Sequence, residues 1–351
     1  MKKIGFILLV ALAGLTSPLS SQIAADLPEP LQAVIVSTPP LELLQPQVVL
    51  PSLVPELPVS TSGTLKKFEA KYNLQKIGHR GIGGGLNFIS RDEETKLGIR
   101  WARETEIGTA HRLVTDPIIT EYVNRLAQNI AHTSDTSVAF TVKVIDSNEV
   151  NAFALPGGFL YVNTGLLTLA DDEAQLAGVI GHEIAHVAAR HTTRQISRGI
   201  LMSQIFSAAT PKKGWGRVVA HLSAMVADDM LTLKFSRGFE EEADLLGMQY
   251  MYAAGYDPGA YLRLFEELQE RKRTKPNLLD RLFSSHPLTE DRIKRCQRIA
   301  NNYFPDRETY RLTTSEFDDV KVRISDLHKR PGYQADEEEE QPVLRRRATD
   351  R

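Results

Sequence analysis

Apolar positions recur at helical spacing over Asp92 to Arg103 and again over Asp116 to His132, where Asp116 is placed to cap and Pro117 stands in the first turn. The spacing then changes. Val138 to Asp146 (VAFTVKVID) alternates with the period of a half-buried strand, and Phe159 to Val162 is a second short strand candidate. Asp171 or Asp172 caps a long apolar helix predicted to run to about His191. Helical patterns follow over residues 195–209, 217–233, 237–254, 259–272 and 288–303, and a last amphipathic piece covers Ser315 to Leu327. The third of these, 237–254, stops at Gly255 with Pro258 just beyond, the usual punctuation of a helix C-terminus. No internal repeat is visible. The pattern predicts an α+β fold, mostly helical, with a small sheet beside the long helix.

The two ends break this pattern. Lys2 and Lys3 precede an apolar run from Ile4 to Leu15 and a small, polar stretch from Thr16 to Ala25, the layout of a signal peptide over residues 1–25. The apolar run is shorter than the roughly 20 residues a membrane span needs. Residues 26–62 carry eight prolines, which block helices and ladders and mark an extended linker. The folded domain is expected over residues 65–310. Residues 311–351 form a C-terminal extension that ends in an acidic run, Glu337 to Glu340, and a basic one, Arg345 to Arg347.

Composition narrows the chemistry. A net charge of −2 in 351 residues lacks the basic excess of a nucleic-acid-binding protein. The single cysteine, Cys296, excludes an intrachain disulfide and a cysteine-rich zinc site, so a metal must be held by histidine and carboxylate. The glycine run Gly81 to Gly85 (GIGGG) lacks the lysine and the strand-to-helix setting of a phosphate cradle and reads as a turn.

The informative segment is LAGVIGHEIAHVAARH, Leu176 to His191. His182 and His186 are four residues apart, so on a helix they project from one face and can share a tetrahedral Zn²⁺, one per chain. Glu183 is placed to act as general base on water. The glycine and histidine that metzincins carry three and six residues after the second ligand are Ala189 and Thr192 here, which excludes that class; His191 takes a structural or supporting role. The third ligand is then sought in SRGFEEEADLLG, where Glu240, Glu241 and Glu242 point about 100° apart around a helix. Such a cluster by itself reads as a solvated acidic face. Glu240 differs in having Asp244 one turn on, a pairing that makes sense if Glu240 ligates a metal and Asp244 orients a ligand imidazole.

Four segments in order, NAFALPGGFLYVNTGLL, HEIAHVAARH, SRGFEEEADLLG and SSHPLTEDRI, make the chain resemble the M48 family of zinc peptidases over about residues 90–310. The chain has no apolar run of about 18 residues, so the likeness is to the soluble periplasmic (BepA- and LoiP-like) branch, without its tetratricopeptide repeats. The resemblance implies a zincin-type metallopeptidase domain in which Glu240 is the third ligand. It also implies an active-site edge strand around Asn151, Ala152, Phe153 and Ala154, and a fourth, regulatory ligand at His286. It further implies an exported zinc endopeptidase acting on unfolded or misfolded envelope proteins, with envelope assembly machinery as a partner and no membrane span after signal removal. A chaperone-like assembly factor that keeps the zinc site but cuts little is the competing reading, and Glu183 argues against it.

Overall fold

The computed structural model describes residues 73–109, 112–209, 235–274 and 285–329. The expected signal peptide, the proline-rich linker, the helix over 217–233 and the charged tail lie outside the described residues.

Among the described residues the order is α1 (Arg91–Thr109), α2 (Pro117–His132), β1 (Thr141–Ile145), β2 (Ala152–Leu155), β3 (Phe159–Asn163), α3 (Thr164–Leu169), α4 (Glu173–Ala188), α5 (His191–Ala209), α6 (Arg237–Ala253), α7 (Gly259–Thr274), α8 (Glu290–Asn302) and α9 (Ser315–His328). The fold is α+β and mostly helical, as the periodicity predicts. No described helix is long and apolar enough to cross a membrane.

Asp116 caps α2, accepting from the Ile118 N–H, and Asp172 caps α4, accepting from the Gln175 N–H. The sheet has the order β1-β3-β2, with β1 parallel and β2 antiparallel to β3. Alternation along the strands separates two apolar clusters. Leu160 and Val162 join the main core with α2, α4, α6 and α7, while Leu155 and Tyr161 join Trp101 and Ala102 of α1. The strand β2 was not separable by period in the sequence, since Ala152 to Leu155 is four apolar residues without alternation. Its hairpin with β3 turns on Gly157 and Gly158, both at positive φ; a Cβ on Gly158 would meet the Ala139 carbonyl at 2.5 Å.

The long helix α4 is the centre of the molecule, and all 16 of its residues are buried. A helix buried on every side must find a partner for each polar side chain it carries. Glu173 is bound by the hydroxyls of Tyr122, Tyr256 and Thr314, which ties the segment before α9 to the start of α4. Gln175 accepts from the Asp171 N–H at 2.9 Å, and His182, Glu183 and His186 face the site described next. The helix is shorter than its sequence suggests. It ends at Ala188 because Arg190 adopts φ +55°, and His191 begins α5 instead of closing α4. The Arg190 side chain holds that turn by bonding Glu94 Oε2 at 2.5 Å and the Ile89 carbonyl at 2.6 Å.

Candidate metal centre

Two glycines decide how closely α4 and α6 approach. A Cβ on Gly181 would lie 2.8 Å from the Gly247 carbonyl oxygen, and one on Gly247 would lie 2.7 Å from the His182 nitrogen. The helices therefore meet backbone to backbone, and side chains flanking the two glycines meet across the contact. His182 and His186 of α4 face Glu240 and Asp244 of α6. His286 enters from the segment before α8, held by the Arg292 guanidinium, which donates to its carbonyl oxygen at 3.3 Å.

Four side chains converge: His182, His186, Glu240 and His286, all buried, each offering one ligand atom within 4.8 Å of the others. His182 Nε2 lies 3.0 Å from His186 Nε2 and 3.3 Å from His286 Nδ1. Glu240 Oε1 lies 3.4 Å from His186 Nε2 and 3.0 Å from His286 Nδ1. With zinc–ligand bonds of about 2.0–2.1 Å, the edges of a tetrahedral site are about 3.3 Å long, so this donor set fits the ion in both chemistry and spacing.

Asp244 sits behind the cluster. Its Oδ1 is 3.1 Å from His182 Nδ1, and it also accepts from Arg292 at 2.7 and 2.9 Å and from the Tyr261 hydroxyl at 3.2 Å. Arg292 reaches Glu240 Oε2 as well, at 3.0 Å. This buried arginine escapes a sequence reading because an arginine in a strongly amphipathic helix looks solvated, and its partners Asp244 and Glu240 lie on another helix.

Glu183 stands beside the four-residue group. Its Oε2 accepts from the Ala154 N–H at 3.1 Å, and its Oε1 is 3.5 Å from His286 Nε2. Burial raises its carboxyl above the usual range against the pull of His286 and His182. Burial would raise Glu240 too, but the neighbouring His286 and His186 outweigh it and hold the carboxyl well below the ordinary value. Burial pushes His186 well below the usual imidazole value, so it presents a lone pair, as a ligand must.

The three consecutive glutamates separate as their helical directions imply. Glu240 enters the cluster, Glu241 pairs with Arg295 at 2.5 Å on a half-exposed face, and Glu242 turns to His191 and Arg194. Of the four residues expected on the substrate strand, Ala152 and Ala154 direct their backbone groups away from β3, and Ala154 meets Glu183. Asn151 and Phe153 point the other way: the Asn151 carbonyl accepts from the Asn163 N–H at 3.0 Å. The Phe153 ring stacks on Tyr161 at 5.0 Å, so a charge placed at Phe153 would disturb packing as well as any bound peptide.

The family model described as Peptidase family M48 matches residues 114–300, a stretch that contains all four segments above. The chain is 28% identical over 270 residues to the beta-barrel assembly-enhancing protease of Yersinia pestis, covering 73% of this chain and 52% of that protein. It is 30% identical over 230 residues to the protein of the same name from Escherichia coli K12, covering 62% and 46%. It is also 34% identical over 192 residues to the mitochondrial metalloendopeptidase OMA1 of Schizosaccharomyces pombe, covering 54% and 56%. The chain spans about half the length of these curated relatives.

Proposed function

Because the chain belongs to peptidase family M48, we propose that it is a zinc-dependent endopeptidase, exported to the periplasm, that cuts misfolded or unassembled cell-envelope proteins. The observation that carries this reading is the meeting of His182, His186 and Glu240 directly beside Glu183, at the edge of β2 away from β3. A binding protein has no need of a buried carboxylate held against a metal site. The envelope substrates are inferred from the names of the bacterial relatives.

His182, His186 and Glu240 would hold the metal, and Asp244 would orient His182. Zinc bound there supplies Lewis acidity, polarising a substrate carbonyl and acidifying water. Glu183 takes the proton from the attacking water and returns it to the departing amine. The strand β2 receives the substrate backbone in extended form through the outward groups of Ala152 and Ala154. A peptide on that edge competes with Glu183 Oε2 for the Ala154 N–H, which couples substrate entry to the position of the base.

His286 completes four protein donors around one point, whereas a catalytic zinc keeps one position open. We read this as a closed resting arrangement. His286→Ala is expected to retain zinc through the other three ligands and to show raised or less regulated proteolysis, by zinc content and casein hydrolysis. Loss of the metal would make His286 an obligatory ligand, and no change at all would leave it a structural residue.

Casein hydrolysis by the purified chain should disappear with a chelator and return with zinc; hydrolysis that persists without metal would end the metallopeptidase reading. Glu240→Ala should lower zinc content severely, while Glu241→Ala, on the half-exposed face, should leave it near one per chain. Equal losses would mean that α6 presents a different face to α4. A charge at Ala154 should weaken peptide binding more than zinc binding, and unchanged peptide affinity there would remove β2 from the substrate site.

A further inference from the structure

We propose that His191 and Glu242 are positioning residues which fix His186 in the tautomer that turns its Nε2 lone pair to the metal site; the inference rests on His186 being a ligand. His191 Nδ1 lies 3.1 Å from His186 Nδ1, and His191 Nε2 lies 3.3 Å from Glu242 Oε2. Two imidazole nitrogens that face each other need one proton between them, and the carboxylate at the far end decides which ring supplies it.

Glu242 also accepts from Arg194 at 3.0 Å, and a carboxylate paired with a guanidinium accepts from His191 as well. His191 therefore carries its proton on Nε2. The ring is fully buried, and as a neutral imidazole it has a lone pair on Nδ1. His186 must then donate from its Nδ1, which leaves its Nε2 unprotonated. That nitrogen is the one facing His182 and Glu240.

Zinc-bound histidines commonly donate their second nitrogen to a carboxylate or a carbonyl. His182 has Asp244 directly behind it; for His186 a second imidazole is inserted before the carboxylate. The backbone supports the insertion. The left-handed turn at Arg190 starts α5 at His191 and brings this ring beneath His186. Stacking on Phe239, at 4.5 Å between centroids, holds the plane of the His191 ring.

The test uses the full chain stripped of metal, with zinc affinity measured by competition against a chromophoric chelator. The visible absorption of the cobalt-loaded protein reports the ligand geometry. His191→Phe keeps an aromatic ring against Phe239 but removes both nitrogens, and is expected to weaken zinc binding about 10–100-fold. His191→Gln has an amide oxygen and nitrogen spaced like the two ring nitrogens, accepting from His186 and donating to Glu242. It is expected to recover most of that affinity and the wild-type cobalt spectrum.

Equal affinities for wild type and His191→Phe would overturn the proposal. Equal weakening by Phe and Gln would overturn it too, since it would reduce His191 to packing. Should His191→Phe not fold, Glu242→Ala carries the test, because it leaves both imidazoles in place and removes the group that fixes their protons. Unchanged zinc affinity in that variant would overturn the proposal. A wild-type chain that binds zinc yet cuts no casein would fail the peptidase reading and leave this result standing.

Discussion

Glu183→Gln is expected to lower casein hydrolysis by about 10³-fold while zinc content stays near one per chain, because general-base catalysis contributes about 10²–10⁴-fold. The amide has nearly the shape of the carboxylate and can still accept from the Ala154 N–H, so the hydrogen bond that positions it survives. None of the four converging donors is altered. What disappears is the capacity to take a proton from water and pass it to the leaving nitrogen. Burial already disfavours the charged carboxyl, so a neutral amide removes a charge rather than a favourable contact, and the metal-free protein should be no less stable than wild type. Zinc analysis, melting temperature and turnover on one preparation check this together. A variant that binds zinc and cuts at the wild-type rate would remove Glu183 from the chemistry. A variant that loses its metal would show that Glu183 supports the site structurally.

The parts of this centre that follow from regular geometry were legible in the sequence. The four-residue spacing of His182 and His186 and the one-turn pairing of Glu240 with Asp244 depend only on 3.6 residues per turn, and in the structure these four side chains face one another across α4 and α6. What was illegible depends on local departures from a period or on contacts remote in sequence. The end of α4 is one case: a non-glycine residue in the left-handed conformation gives no signal, and the apolar pattern runs on to His191. On a continuous α4, His191 would lie about 140° around the axis from His186, so the helical period conceals the link from His186 to Glu242. The strand β2 is another, because four consecutive apolar residues fit a helix as readily as a strand. Arg292 is a third. A buried arginine is intelligible only with Asp244 and Glu240 in view, and those residues are about fifty positions away.

The close contact of α4 and α6 makes the most discriminating test of the architecture, because two glycines of one helix should respond to the same substitution with opposite signs. Gly247→Ala is expected to destabilise the chain by about 3 kcal/mol, at the upper end of overpacking costs, and to weaken zinc binding by at least about tenfold. The added methyl would stand 2.7 Å from the His182 nitrogen and 2.8 Å from its Cα, and backbone atoms cannot swing aside as a side-chain tip can. Relief requires α6 to move away from α4, and that movement carries Glu240 and Asp244 away from His182 and His186. Gly238→Ala lies on the same helix with no atom of the described residues within 4 Å of the new Cβ. There the methyl only removes glycine's entropic penalty, so the variant should be neutral or up to about 1 kcal/mol more stable, with unchanged zinc affinity. Urea unfolding and chelator competition on the two variants read both effects. If Gly247→Ala matched Gly238→Ala in both measurements, α4 and α6 would not be in backbone contact, and the placement of Glu240 opposite the two histidines would lose its basis.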